Sequence, residues 1–139
     1  MANRRLENIP ANELGAVLPM RNGILQGIIS FMAAAPMPGF LKDARGRVLY
    51  LNRDAEELFE RDLKTVRGMT IPEMLNIMPG EARRTITTQD RRILNSSSPL
   101  VFVDHALPQV GATRLATLKF RVLLDNDDKV IAGLIVKLS

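Results

Sequence analysis

Strand-like runs fall into two groups kept apart by a helical stretch, and this arrangement limits the chain more than any other feature. In the first group, Phe40-Leu41-Lys42 and Val48-Leu49-Tyr50-Leu51 flank Asp43-Ala44-Arg45-Gly46-Arg47, where Gly46 suits a turn position of positive φ. In the second, the runs Leu100–Ala106, Arg114–Leu124 and Lys129–Leu138 are parted by Pro108-Gln109-Val110-Gly111 and by Asp125-Asn126-Asp127-Asp128. Strands segregated around a helical insert predict an α+β domain with an antiparallel five-stranded sheet. The helices then lie against that sheet.

Residues 10–35 carry a helical pattern. Pro10 suits a first turn, Leu14, Val17 and Leu18 follow at helical spacing, Pro19 marks a break or restart, and Pro36 and Pro38 end the run. Beyond Pro19, Met20, Ile24, Ile28, Phe31 and Ala35 line one face, while Leu25, Ile29 and Met32 line another. A helix apolar on two sides is covered on two sides. One domain's sheet covers one stripe, so residues 1–35 are expected to form a flanking dimerisation segment and residues 36–139 the domain proper; the alternative is that the helix folds back and is enclosed by its own core. Ile24, Ile28 and Phe31 are the expected interface of a homodimer. Further on, Asn52 is placed to cap a helix over residues 53–59, and Pro72-Glu73-Met74-Leu75 reads as one helical turn. Pro79-Gly80-Glu81 opens a longer helix with Ala82, Ile86, Ile93 and Leu94 as its inner stripe, ending at Asn95-Ser96-Ser97-Ser98-Pro99.

Composition removes most chemistry. The 139 residues contain no Cys and one His, which excludes thiolate catalysis, disulfides and multi-histidine or cysteine metal sites. Ser96, Ser97 and Ser98 have no nearby base, and Asp125, Asp127 and Asp128 lack the spacing of a calcium loop, so that cluster reads as a polar hairpin turn. Glu56, Glu57 and Glu60 have no partner for acid–base work, so no catalytic residue and no metal site is expected. The net charge of +4 is spread along the chain, and Arg83, Arg84, Arg91 and Arg92 are interleaved with Glu81 and Asp90 without aromatic neighbours. That segment is expected to be a solvated face, and direct nucleic-acid binding is not expected. The apolar stretch of residues 23–38 contains Gln26 and Ser30, falls short of the ~20 residues a membrane span requires, and begins late for a signal peptide. No membrane insertion and a cytoplasmic location are therefore expected.

The run Pro38-Gly39-Phe40-Leu41-Lys42-Asp43-Ala44-Arg45-Gly46-Arg47-Val48-Leu49-Tyr50-Leu51-Asn52 closely resembles the opening hairpin of PAS domains. Ala55-Glu56-Glu57-Leu58-Phe59 is similar to their first helix and Val66-Arg67-Gly68 to the step after it. Gln89-Asp90-Arg91-Arg92-Ile93-Leu94 is similar to the end of their connector helix, and Leu118-Lys119-Phe120 with Ala132-Gly133 to the last two strands. The likeness runs over residues 36–138. It departs at Glu60 and Asp128, which stand where relatives often have Gly and which imply altered turn geometry.

The resemblance implies a five-stranded PAS-like sheet with a helical connector on one face. It also implies a non-catalytic sensor domain of a bacterial-type signalling protein, which binds a small ligand or partner and dimerises to regulate an output domain beyond Ser139. The alternative is a purely structural interaction module without a small-molecule ligand. Light-sensing relatives use a Cys that this chain lacks, and haem-binding relatives a connector-helix His absent from residues 79–95, so no haem or flavin cofactor is expected. His105, in a strand beside Asp104, reads as an ordinary strand residue. Met69, Met74, Met78, Ile86, Phe102 and Phe120 are the expected lining of a pocket for a small apolar or acidic metabolite, the alternative being that the methionine cluster is plain core. Arg83 or Arg84 could meet an anionic head group.

Overall fold

The computed structural model describes residues 4–21, 23–77, 80–105, 114–125 and 127–138. Its elements in chain order are α1 (Ala11–Val17), α2 (Ile24–Ala34), β1 (Gly39–Asp43), β2 (Val48–Leu51), α3 (Arg53–Phe59), α4 (Leu63–Val66), α5 (Ile71–Met74), α6 (Glu81–Leu94), β3 (Leu100–His105), β4 (Arg114–Leu123) and β5 (Lys129–Lys137). The strands form one sheet in the order β2-β1-β5-β4-β3, and each neighbouring pair is antiparallel. The fold is α+β, with helices on both faces of that sheet. No helix among the described residues is long and apolar enough to cross a membrane.

Local chemistry sets the β1–β2 hairpin. Gly46 has φ 82°, and the Asp43 carboxylate accepts from the backbone N–H of Arg45 and Arg47, holding the turn closed. Pairing then steps from Lys42↔Val48 to Leu41↔Tyr50, so Leu49 is an extra residue on β2. Because of this bulge, Val48 and Leu51 reach one face of the sheet while Leu49 and Tyr50 reach the other.

The N-terminal segment covers the outer face. Leu14, Leu18, Leu25 and Met32 pack with Leu41, Leu49, Val130 and Ala132, and each such burial contributes about 1.5–3 kcal/mol. A 3-10 turn at Leu18–Met20 containing Pro19 separates α1 from α2. Of the two stripes on α2, the one carrying Leu25 and Met32 faces the sheet, Ile28 and Ile29 are half-buried, and Met20, Ile24 and Phe31 are exposed.

Two buried charges fasten this layer. Arg47 donates to Leu6 O (2.9 Å), Ile9 O (2.7 Å) and Asp43 Oδ2 (2.8 Å), while Asp128 Oδ2 accepts from Leu6 N (3.2 Å) and Arg21 Nη1 (3.4 Å). Asp128 closes the polar hairpin turn, its carbonyl accepting from Leu124 N, but its side chain is buried, and the left-handed residue of that turn is Asp127. Glu60 itself adopts the left-handed conformation (φ 55°) that suits glycine, at a cost of about 1–2 kcal/mol.

Asn52 joins the two layers. Its Oδ1 accepts from Ala55 N, capping α3, and from Gly39 N, while its amide donates to Met32 O and Met37 O at the end of α2. On the inner face, Phe40, Val48, Leu51, Phe59, Ile71, Met74, Leu75 and Ile135 form a core beneath α3–α5. The connector helix α6 crosses the sheet and seats Ile93 on Phe102 and Ile131.

Candidate functional site

Period-two alternation along β1, β4 and β5 decides which side chains look inward. Phe40, Gly133 and Lys119 lie in one cross-strand row, with Thr117 and Ile135 paired in the next. Gly133 has no side chain because Phe40 lies across it: a Cβ there would come within 2.1 Å of Cζ of the ring. Over this floor α6 presents Ala82, Thr85, Ile86 and Gln89, and between helix and sheet remains a cavity of about 580 Å³. Phe59, Ile71, Leu75 and Leu115 complete its apolar walls, and Glu81 marks its rim. The volume suits a small metabolite.

Polar groups gather on one side. Lys42 Nζ donates to both oxygens of Asp90 (2.9 and 2.7 Å), and Lys119 Nζ donates to Asp90 Oδ1 (3.2 Å) and Gln89 Oε1 (3.1 Å). All four residues are buried. Each ammonium also lies near an aromatic face, Lys42 at 5.4 Å from the Phe40 centroid and Lys119 at 5.5 Å from that of Phe102. Burial and the neighbouring Lys119 pull the Lys42 pKa down to about 8, against the opposing pull of Asp90 and Asp43. Two ammonium groups thus share one carboxylate away from solvent.

Of the pocket residues expected from sequence, Ile86 lines this cavity. Met74 is buried in the core beside it, and Met69 packs against that core. Both fill space as methionine commonly does. Phe102 packs under Ile93 behind Lys119, with Arg92 on its ring. Phe120 belongs to the opposite face: it pairs with Ala132, one step out of phase with Lys119, and packs with the N-terminal layer. Met78 lies outside the described residues. Arg83 donates to Ile77 O on the other flank of α6 and Arg84 is exposed, so cationic groups reach the cavity from β1 and β4 instead. Within the solvated face expected over 81–92, Arg84, Arg91 and Arg92 are exposed, but the interleaved Asp90 is buried.

Lys42, Lys119 and Asp90 were not singled out by sequence. The available signal was parity: Leu118 and Phe120 flank Lys119, and Phe40 and Leu41 lead into Lys42, which marks strands covered on both faces where a lysine is enclosed.

A family model described as "PAS fold" matches residues 32–137. Among solved structures, the PAS domain of BvgS from Bordetella pertussis is similar over 85% of this chain and 88% of that one, at 21% identity and TM-score 0.69. A domain of an HTR-like protein from Haloarcula marismortui is similar over 76% of this chain and all of that one, at 13% identity and TM-score 0.61. The structure of the phage VqmA-DPO complex is similar over 80% of this chain and 52% of that one, at 18% identity and TM-score 0.61. No curated protein matches the sequence.

Proposed function

The chain belongs to the PAS-fold family, a family of sensory and signalling modules, and from that membership we propose that it is a non-catalytic, cytoplasmic sensor domain. It binds a small ligand in the cavity under α6, dimerises through the outward face of α2, and passes ligand state to an output domain following Ser139. It needs no haem or flavin. The observation carrying this reading is the 580 Å³ space between α6 and the inner sheet, apolar on most sides and polar at one. A similar structure, that of phage VqmA, is a complex with DPO.

Native mass spectrometry before and after denaturation tests the ligand half: a bound small molecule is expected in the native spectrum and absent from the denatured one. A screen of metabolites by thermal shift complements it, and a chain that retains nothing and gains no stability from any of them is not a ligand sensor.

The dimer half rests on apolar exposure. Met20 is 80% exposed and Phe31 54%, and Val101 and Val103 on the outer face of β3 are 64% and 56% exposed. The same exposure favours the alternative, an interaction module with no ligand. Light scattering is expected to give a dimer for the wild type and a folded monomer for Phe31→Lys. A wild type that is monomeric at high micromolar concentration overturns the dimer.

A further inference from the structure

We propose that the cavity under α6 selects a small monocarboxylate with an apolar body, its head group held by Lys42, Lys119 and Thr117. The proposal rests on the cavity reading above and adds the chemistry of the ligand.

The first argument is charge. Lys42 and Lys119 bring two ammonium groups to the cavity wall, and the carboxylate they both bond is that of Asp90. Buried charge that is not balanced is costly, and one further anion brings this group to neutrality. A dianion would overshoot, and an amine would add to the surplus.

Hydrogen-bonding capacity is also left unused. An ammonium has three N–H donors. Lys42 places two on Asp90, and Lys119 places one on Asp90 and one on Gln89, which leaves each a donor without an acceptor among the described residues. Thr117 is 8% exposed and lines the same cavity, and among the described residues its hydroxyl has no hydrogen-bond partner. Ammonium donors and a hydroxyl at one end, with aromatic and aliphatic walls at the other, match an amphipathic acid. Charge-assisted bonds to a carboxylate are the stronger kind.

The test uses hexanoate, hexan-1-ol and hexylamine, which share a six-carbon chain, titrated calorimetrically into the whole chain at pH 7. Hexanoate is expected to bind at least tenfold more tightly than the alcohol, and the amine more weakly than either. Lys42→Met is expected to erase the preference for the acid while the alcohol still binds. Lys119→Met serves the same purpose should the first variant fail to fold. An alcohol or amine that binds wild type as tightly as the acid overturns the head-group assignment and leaves the cavity reading standing. Persistence of the acid preference in the lysine variants overturns it as well. Failure of all three probes to bind overturns the monocarboxylate assignment, while the cavity reading is decided by the native mass spectrum and the thermal-shift screen.

Discussion

Lys42 and Asp43 are neighbours on β1, and alternation sends them to opposite faces, where each becomes part of a buried charged group of a different kind. On the outer face Asp43 meets one guanidinium, Arg47, whose remaining bonds go to backbone carbonyls of the N-terminal segment. Charges there are matched one to one, and the product is an anchor. On the inner face two ammonium groups meet one carboxylate beside a cavity. The matched pair holds chain segments together, whereas the inner cluster carries one positive charge more than its carboxylate balances. In the proposed function, the two faces of one strand separate structure from recognition.

Removing the inner anion should break that contrast most severely. Asp90→Asn leaves two buried ammonium groups with no carboxylate between them, and an expected loss of about 3–5 kcal/mol follows. Urea denaturation at pH 7 measures it, and an unshifted midpoint would mean that the lysines are not enclosed as described. The outer anchor comes next. Arg47→Met removes three side-chain hydrogen bonds and should cost about 2–3 kcal/mol, with faster amide exchange concentrated in residues 6–18. Its affinity for a cavity ligand should stay at the wild-type value; a large fall would show that the faces are not independent.

The smallest effect at neutral pH is expected for Lys42→Met, which leaves Lys119 and Asp90 matched one to one. Its stability at pH 7 should lie within about 1 kcal/mol of wild type. The sign of its pH dependence sharpens the comparison. In the folded wild type Lys42 loses its proton near pH 8, whereas the unfolded chain keeps it to 10.5, so between those values the unfolded state binds more protons. Wild type should therefore gain on the variant as pH rises from about 8 to 10.5, as read from urea midpoints at pH 7 and 9.5. A constant gap would contradict the pull of burial on Lys42.

Legibility in the sequence followed distance along the chain. The β1–β2 turn and the Asn52 cap depend on partners within a few residues, and Gly46 and the Asn52–Ala55 spacing display them. The other bonds of Asn52 reach Gly39, Met32 and Met37, which no local pattern marks. Asp90 was hidden for the same reason, because among arginines on a helix an aspartate reads as solvated while its partners lie on β1 and β4. Phe120 was misplaced by residue type, since an aromatic in a strand suggests a pocket wall. Its parity, opposite to that of Lys119, carried the correct answer.

The side-by-side placement of Lys42 and Asp43 also bears on how the chain avoids misfolding. A strand that slips by one residue exchanges its faces. Were β1 to slip one residue in one direction, Asp43 would take the place of Lys42 against Asp90; in the other direction, Lys42 would take the place of Asp43 against Arg47, a like-charge encounter in either case. Apolar neighbours such as Phe40 and Leu41 could exchange places at modest cost, so they guard the pairing weakly. Opposite charges at consecutive positions therefore work against an out-of-step β1 once its neighbours pack on it.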